Sequence, residues 1–182
     1  MAPNYSFWLK RPELAIHRAK YEIWQRLHPD SPWWCPGTVR KMHSLLTPSM
    51  RIVEFGTGRS TIWLAARCEH LMAIEHDSHW YRKVKDKLAK NNLTNVDLRL
   101  IPLDHAIGEP EKEIYDPTPS YVAILDEIPP ESLDIAIIDG AYRTTCVKAV
   151  IQKMRTGGML LVDDAERWDR GNPIPAPQLG RK

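Results

Sequence analysis

The chain has 182 residues, 43% hydrophobic and 26% charged, with a formal net charge of +2. That suits one soluble globular domain with a sizeable core, and a charge so near neutral does not point to nucleic acid or acidic lipid as a partner. No apolar run is long enough to span a membrane, no basic-then-apolar leader pattern stands at the N-terminus, and the three cysteines, Cys35, Cys68 and Cys146, lack zinc spacing and read as reduced thiols of a cytoplasmic protein.

Residues 1–11 read as irregular. Pro12 to about Leu27 reads as a helix with Ile16, Ala19, Ile23 and Leu27 on one stripe. His28-Pro29-Asp30-Ser31-Pro32 breaks it, and Gly37 to Leu46 is expected to form a second short helix. A strand follows at 51–55, a helix from near Ser60 to near Cys68, and a strand at 70–75. The next helix runs from about Ser78, its expected cap, to Asn91, burying Tyr81, Val84 and Leu88. Its Lys83, Lys85, Asp86, Lys87 and Lys90 read as a solvated face. A strand at 96–101 leads into a loop over 102–119, long enough to be a lid or a mobile segment. A short helix at 120–127 and a strand at Leu133–Ile138 come next. Val147, Val150, Ile151 and Met154 then predict a helix from Arg143 to Arg155, stopped by Gly157-Gly158. The last strand is 159–162, ending at Asp163-Asp164. Seven tryptophans are present. Of these Trp33, Trp34, Trp63, Trp80 and Trp168 lie near loops or helix starts, either packed in the core or lining a pocket.

Alternating strands and helices predict an α/β, Rossmann-like, doubly wound and mostly parallel sheet of five strands in the order 3-2-1-4-5. The expected organisation is a helical extension over 1–50, a cofactor-binding domain over 51–168 and an irregular tail over 169–182. Ligands of such sheets bind along the carboxyl edge of the strands. Glu54, Glu75, Asp139, Asp163 and Asp164 all fall at or near that edge.

Two segments carry the chemistry. Arg51-Ile52-Val53-Glu54-Phe55-Gly56-Thr57-Gly58 is a strand that turns on Gly-x-Gly into a helix, and Glu75 ends the next strand. A glycine turn admits a ligand close to the backbone, and an acid on the neighbouring strand tip can chelate a ribose diol. Alternatively, the turn is only a tight connection. Thr61 holds the place of the third glycine of the dinucleotide fingerprint, and no Gly-Lys-Ser/Thr follows. Glu54 would repel a pyrophosphate but suits a cationic ligand, which points away from NAD and toward S-adenosylmethionine.

Val53-Glu54-Phe55-Gly56-Thr57-Gly58 resembles the first motif of class I S-adenosylmethionine-dependent methyltransferases, and Ile74-Glu75-His76-Asp77 resembles their second, acidic motif. Glu75 to Trp80, Asp134 to Gly140 with Arg143 and Cys146, and Gly157 to Arg167 are similar to a branch of small methyltransferases often linked to O-methylation, including that of sugars. The resemblance covers about residues 36–168. It implies that Glu54, the backbone of Gly56, Thr57 and Gly58, and Ser60 hold the methionine portion. Glu75 would accept bonds from the ribose hydroxyls, and His76 or Asp77 would border the adenine. Asp104 and His105 would lie near the adenine amine, or else be surface groups.

Asp139 sits where methyl group and acceptor should meet, as a general base, a metal ligand or a holder of the cofactor's amino group. Asp139, Asp163 and Asp164 match in order the acids of metal-dependent catechol-type O-methyltransferases, which implies Mg²⁺ or another divalent cation. The alternative is that they pair with Arg143 and Arg167. Asp139-Gly140-Ala141-Tyr142 departs from the Asn-Pro-Pro-Tyr/Phe pattern of amino-group methylation. The acceptor expected is therefore a hydroxyl of a small molecule or saccharide, with no nucleic acid. A non-catalytic binder of the cofactor is the second reading. The C-terminal hairpin usual in this fold is missing from Ala165–Lys182, where Pro173, Pro175 and Pro177 oppose a strand. An uncovered last strand raises the expectation of a homodimer.

Overall fold

The structure is a computed structural model that describes residues 12–106 and 115–165. The chain separates into two units, Met1–Leu46 and Thr47–Lys182. The first holds helices α1 (Pro12–Leu27) and α2 (Pro36–Leu45). Ile16, Ile23 and Leu27 of the expected apolar stripe are exposed. Helix α2 starts one residue earlier than the sequence suggested, because Cys35 caps it: its Sγ accepts the Thr38 amide at 3.4 Å, and Pro36 fills the first turn, where no amide is needed.

The second unit is the expected sheet. Strands β1 (Arg51–Phe55), β2 (His70–Glu75), β3 (Val96–Leu100), β4 (Leu133–Ile138) and β5 (Met154–Val162) are all parallel, in the order β3-β2-β1-β4-β5. Between them run α3 (Arg59–Ala65), α4 (Ser78–Lys90), α5 (Ser120–Ala123), which continues as a 3-10 turn over Ile124–Glu127, and α6 (Arg143–Val150). The central strands β1, β2 and β4 are apolar almost throughout and buried almost throughout, as strands covered on both faces must be. One face packs Val53, Phe55, Ile74, Ala136 and Ile138 against Tyr121, Leu125, Tyr142, Cys146 and Val150. The order reverses between β1 and β4, which places the binding crevice of such a sheet above Phe55 and Ile138.

Boundaries in this unit also differ from the sequence reading. Ser78 is the first helical residue of α4 and Asp77 is its cap, accepting the Trp80 amide at 2.7 Å. A carboxylate there also meets the positive end of the helix dipole. Helix α6 stops at Val150 and tightens into a 3-10 turn over Ile151–Lys153, because Met154, counted on the apolar stripe, pairs instead with Leu133 of β4. Gly157-Gly158 does not stop a helix. It lies in β5 where the strand bulges: Met154 and Met159 face Leu133 and Ile135. Gly157 takes φ +79°, and a Cβ on Gly158 would come within 2.9 Å of the Arg155 carbonyl oxygen. No helix among the described residues is long and apolar enough to cross a membrane. The tail from 166 onward, with Trp168, Arg167 and the three prolines, and the loop centre at 107–114 lie outside the described residues.

Candidate active site

Ladder bonds carry each strand to its carboxyl tip. The Gly56 amide donates to Ile74 O (2.9 Å), Asp139 to Phe55 O (2.8 Å), Ile101 to Glu75 O (2.8 Å) and Asp163 to Ile138 O (3.0 Å). The sequence-predicted groups Gly56, Glu75, Asp139 and Asp163 therefore stand side by side on one edge. Gly56 has φ +84°, which favours glycine, and a Cβ on it would lie 2.7 Å from the Gly140 Cα. The turns after β1 and β4 touch backbone to backbone, and that contact requires both glycines.

Glu54 is fully buried at the base of the turn. Its Oε2 accepts the Thr61 hydroxyl at 2.6 Å, and Thr61 Oγ1 in turn accepts the Gly58 amide at 2.9 Å. Thr61, in the third-glycine place, thus ties the acid to the start of α3. Oε1 has no hydrogen-bond partner. Burial, opposed by the Ser60 and Thr61 hydroxyls and reinforced by the charges of Asp139 and Glu75, raises the Glu54 pKa from 4.5 to about 8. The folded chain therefore holds this proton more tightly than the unfolded chain. The resulting stabilisation is complete below pH 4.5 and is lost as the pH rises through about 8. The Asp163 shift has the same sign. Glu54→Gln is expected to flatten the decline of stability across that window and to be the more stable protein at its alkaline end. Urea unfolding at several pH values reads this directly, and parallel curves for the two proteins would refute it.

Glu75 is also buried, and its carboxylate is filled from within. Oε2 accepts the Thr57 amide (3.0 Å) and hydroxyl (2.7 Å), and Oε1 accepts the amides of His76 (2.8 Å) and Asp77 (2.9 Å). These four donors match the four lone-pair positions of a carboxylate. A ribose hydroxyl gains Glu75 only by displacing one of them, and the rotatable Thr57 hydroxyl is the cheapest to displace. Trp80, on α4, closes over the same turn by donating its indole N–H to Thr57 O.

The other predicted residues have well-defined places. The His76 ring meets Tyr121 edge-on at 6.0 Å. Asp77 is the α4 cap. Asp104 accepts the Ser120 amide at the start of α5, and that bond pulls its pKa below the usual carboxylate value. The His105 ring stacks on Tyr115 at 5.3 Å, while its backbone N–H and C=O are both held by the Tyr142 hydroxyl at 2.8 Å. Tyr121 and Tyr142, which sequence reasoning passed over, brace the edge from below. Both are fully buried, 6.1 Å apart. Only Tyr142 carried a local signal, its position directly after Asp-Gly-Ala at a strand tip.

Asp139 and Asp163 come together through a hydrogen bond between their side chains, with the charge of Asp164 beside them. No three His, Cys, Asp or Glu side chains among the described residues are grouped to hold a metal ion. Arg143 reaches across the cluster, and its Nη2 donates to Asp139 Oδ1 at 3.0 Å, so a divalent cation at these acids would have to compete with a guanidinium. Burial and the neighbouring Asp164 raise the Asp163 pKa, against the pull of Arg143 and a hydrogen bond with the Asp139 side chain.

No protein-family model matches the chain, and no curated protein matches it. Solved structures do. A methyltransferase-like protein from Silicibacter pomeroyi is 20% identical with a TM-score of 0.54, over 74% of this chain and 73% of that one. An rRNA methylase from Streptococcus thermophilus is 14% identical with a TM-score of 0.52, over 72% of each chain. A precorrin 8w decarboxylase from Methanobacterium thermoautotrophicum is 21% identical with a TM-score of 0.51, over 74% of this chain and 66% of that one, so the chain spans just under two thirds of that relative. The fold is the Rossmann-like fold of methyltransferases.

Proposed function

We propose that the chain is an S-adenosylmethionine-dependent methyltransferase acting on a hydroxyl of a small molecule or saccharide. One observation supports this most. The charges of Glu75 and Asp139 converge on buried Glu54, which itself holds a proton up to about pH 8, around one glycine turn at the switch point of the sheet. Such a field opposes a pyrophosphate and favours a ligand carrying sulfonium and ammonium charge. The residues fit that cofactor in a second respect: Glu54 Oε1 is a buried oxygen without a hydrogen-bond partner, and a cationic ligand would favour the ionised form of this acid.

The cofactor, when bound, supplies a methyl group already activated on sulfur, so the chain's task is alignment and exclusion of water. The Gly56 turn gives close backbone approach. Glu75 offers the ribose an acceptor once the Thr57 hydroxyl turns away. Asp139, with its carboxylate partly exposed and anchored by Arg143, stands on the acceptor side. The proton released by the acceptor hydroxyl on transfer would pass to the hydrogen-bonded Asp139–Asp163 pair.

Calorimetric titration of S-adenosylhomocysteine into the chain is expected to show one site, and incubation with S-adenosylmethionine and pooled hydroxyl acceptors is expected to release that product. Binding without turnover on any pool would make the chain a binding protein. NADH binding in its place would revive a dinucleotide enzyme.

A further inference from the structure

The acidic cluster at the tips of β4 and β5 already contains its cation. Arg143 Nε donates to Gly140 O at 3.0 Å, and Nη2 donates to both Asp139 O and Asp139 Oδ1 at 3.0 Å. Nη1 donates to Asp163 O. The side chain is only 12% exposed. One guanidinium therefore ties the two strand tips and the carboxylate between them. A divalent cation needs oxygen lone pairs aimed at one centre; here Asp139 Oδ1 and the carbonyl oxygens of Asp139, Gly140 and Asp163 already point at Arg143 N–H groups, and the Asp163 carboxyl is hydrogen-bonded to the Asp139 side chain. Arginine cannot discharge itself to make room.

We propose that Arg143 is a positioning residue standing where related sites would place a metal: it fixes Asp139 and the ends of β4 and β5 on the acceptor side, and transfer proceeds without a divalent cation. The role in transfer rests on the methyltransferase reading. The exclusion of metal does not.

The test is Mn²⁺ binding by electron paramagnetic resonance on the full chain, beside melting curves and turnover. The wild type is expected to bind no Mn²⁺ at millimolar concentration and to be indifferent to EDTA. Arg143→Ala frees the oxygens, so it should melt lower, bind Mn²⁺ and regain melting temperature with it, and Asp163→Asn added to it should abolish the gain. Arg143→Lys keeps the charge but loses the fork. It should still exclude Mn²⁺ and bind S-adenosylhomocysteine as the wild type does, while kcat falls about tenfold, the loss of roughly one charge-assisted bond. Wild-type Mn²⁺ binding that Asp139→Asn removes overturns the proposal, as does an Arg143→Lys enzyme with unchanged kcat. If Arg143→Ala does not fold, the wild type and Arg143→Lys decide the matter. A wild type that binds no S-adenosylhomocysteine would sink the methyltransferase reading and leave the Mn²⁺ result standing.

Discussion

Gly140→Ala is expected to lower folding stability by about 3 kcal/mol. A Cβ at this position would lie 2.2 Å from Tyr121 Oη, 2.8 Å from the Gly56 nitrogen and 2.9 Å from the Phe55 carbonyl carbon. Relief would require one of these neighbours to move, and each is held. The β1 backbone is bound to β4 through Asp139 N and to β2 through Gly56 N. Tyr121 is fully buried, packed on Phe55 at 5.4 Å and with its hydroxyl 3.3 Å from Ile74 O. Close-packed interiors do not absorb such an intrusion by local yielding.

Gly157→Ala is the control. That residue also has positive φ, but a Cβ there meets nothing within 4 Å, so its cost should be limited to backbone strain of about 1 kcal/mol. Urea midpoints at constant m-value compare the two. Adding Tyr121→Phe to Gly140→Ala removes the worst overlap and leaves the two backbone ones, so it should restore stability only in part. If Gly140→Ala and Gly157→Ala proved equally mild, the touching turns would not be the keystone of this edge.

What the sequence made legible follows from how local the signals are. β1, β2 and β4 are short apolar runs bounded by turn residues, and a parallel sheet writes that pattern into the chain directly. Gly56, Glu75 and Asp139 could be placed because each ends such a run. The occupation of the carboxylates could not be read. Whether Glu75 is open to a ligand depends on the Thr57 amide and hydroxyl, and whether Asp139 can meet a metal depends on where Arg143, four residues on at the start of α6, directs its side chain. Both are three-dimensional facts with no spacing of their own. The same holds for Tyr121, which braces Gly56 and Gly140 from a helix between β3 and β4. The misplaced end of α6 has a different origin: Met154 satisfies a helical period and a strand pairing equally well as a residue type, and β4 decides between them.

Glu75→Ala is expected to damage folding and cofactor binding together. The carboxylate collects three backbone amides and one hydroxyl across the turn between β1 and α3 and the turn between β2 and α4. Removing it leaves the Thr57 amide buried without an acceptor and the amides of His76 and Asp77 dependent on water. Charge-assisted bonds lost in this way predict a deficit of about 3 kcal/mol in urea unfolding. The affinity for S-adenosylhomocysteine should fall as well, because the turn that receives it loses its fixed shape.

Thr57→Val separates the two roles. It removes only the hydroxyl that competes with a ribose for Oε2, so stability should drop by about 1 kcal/mol while affinity is held or improved. A Glu75→Ala protein as stable as the wild type would show that the internal bonds count for little and that the acid serves the ligand alone. A Thr57→Val protein that binds far more weakly would show that the hydroxyl belongs to the bound state, with the ribose held elsewhere on the edge.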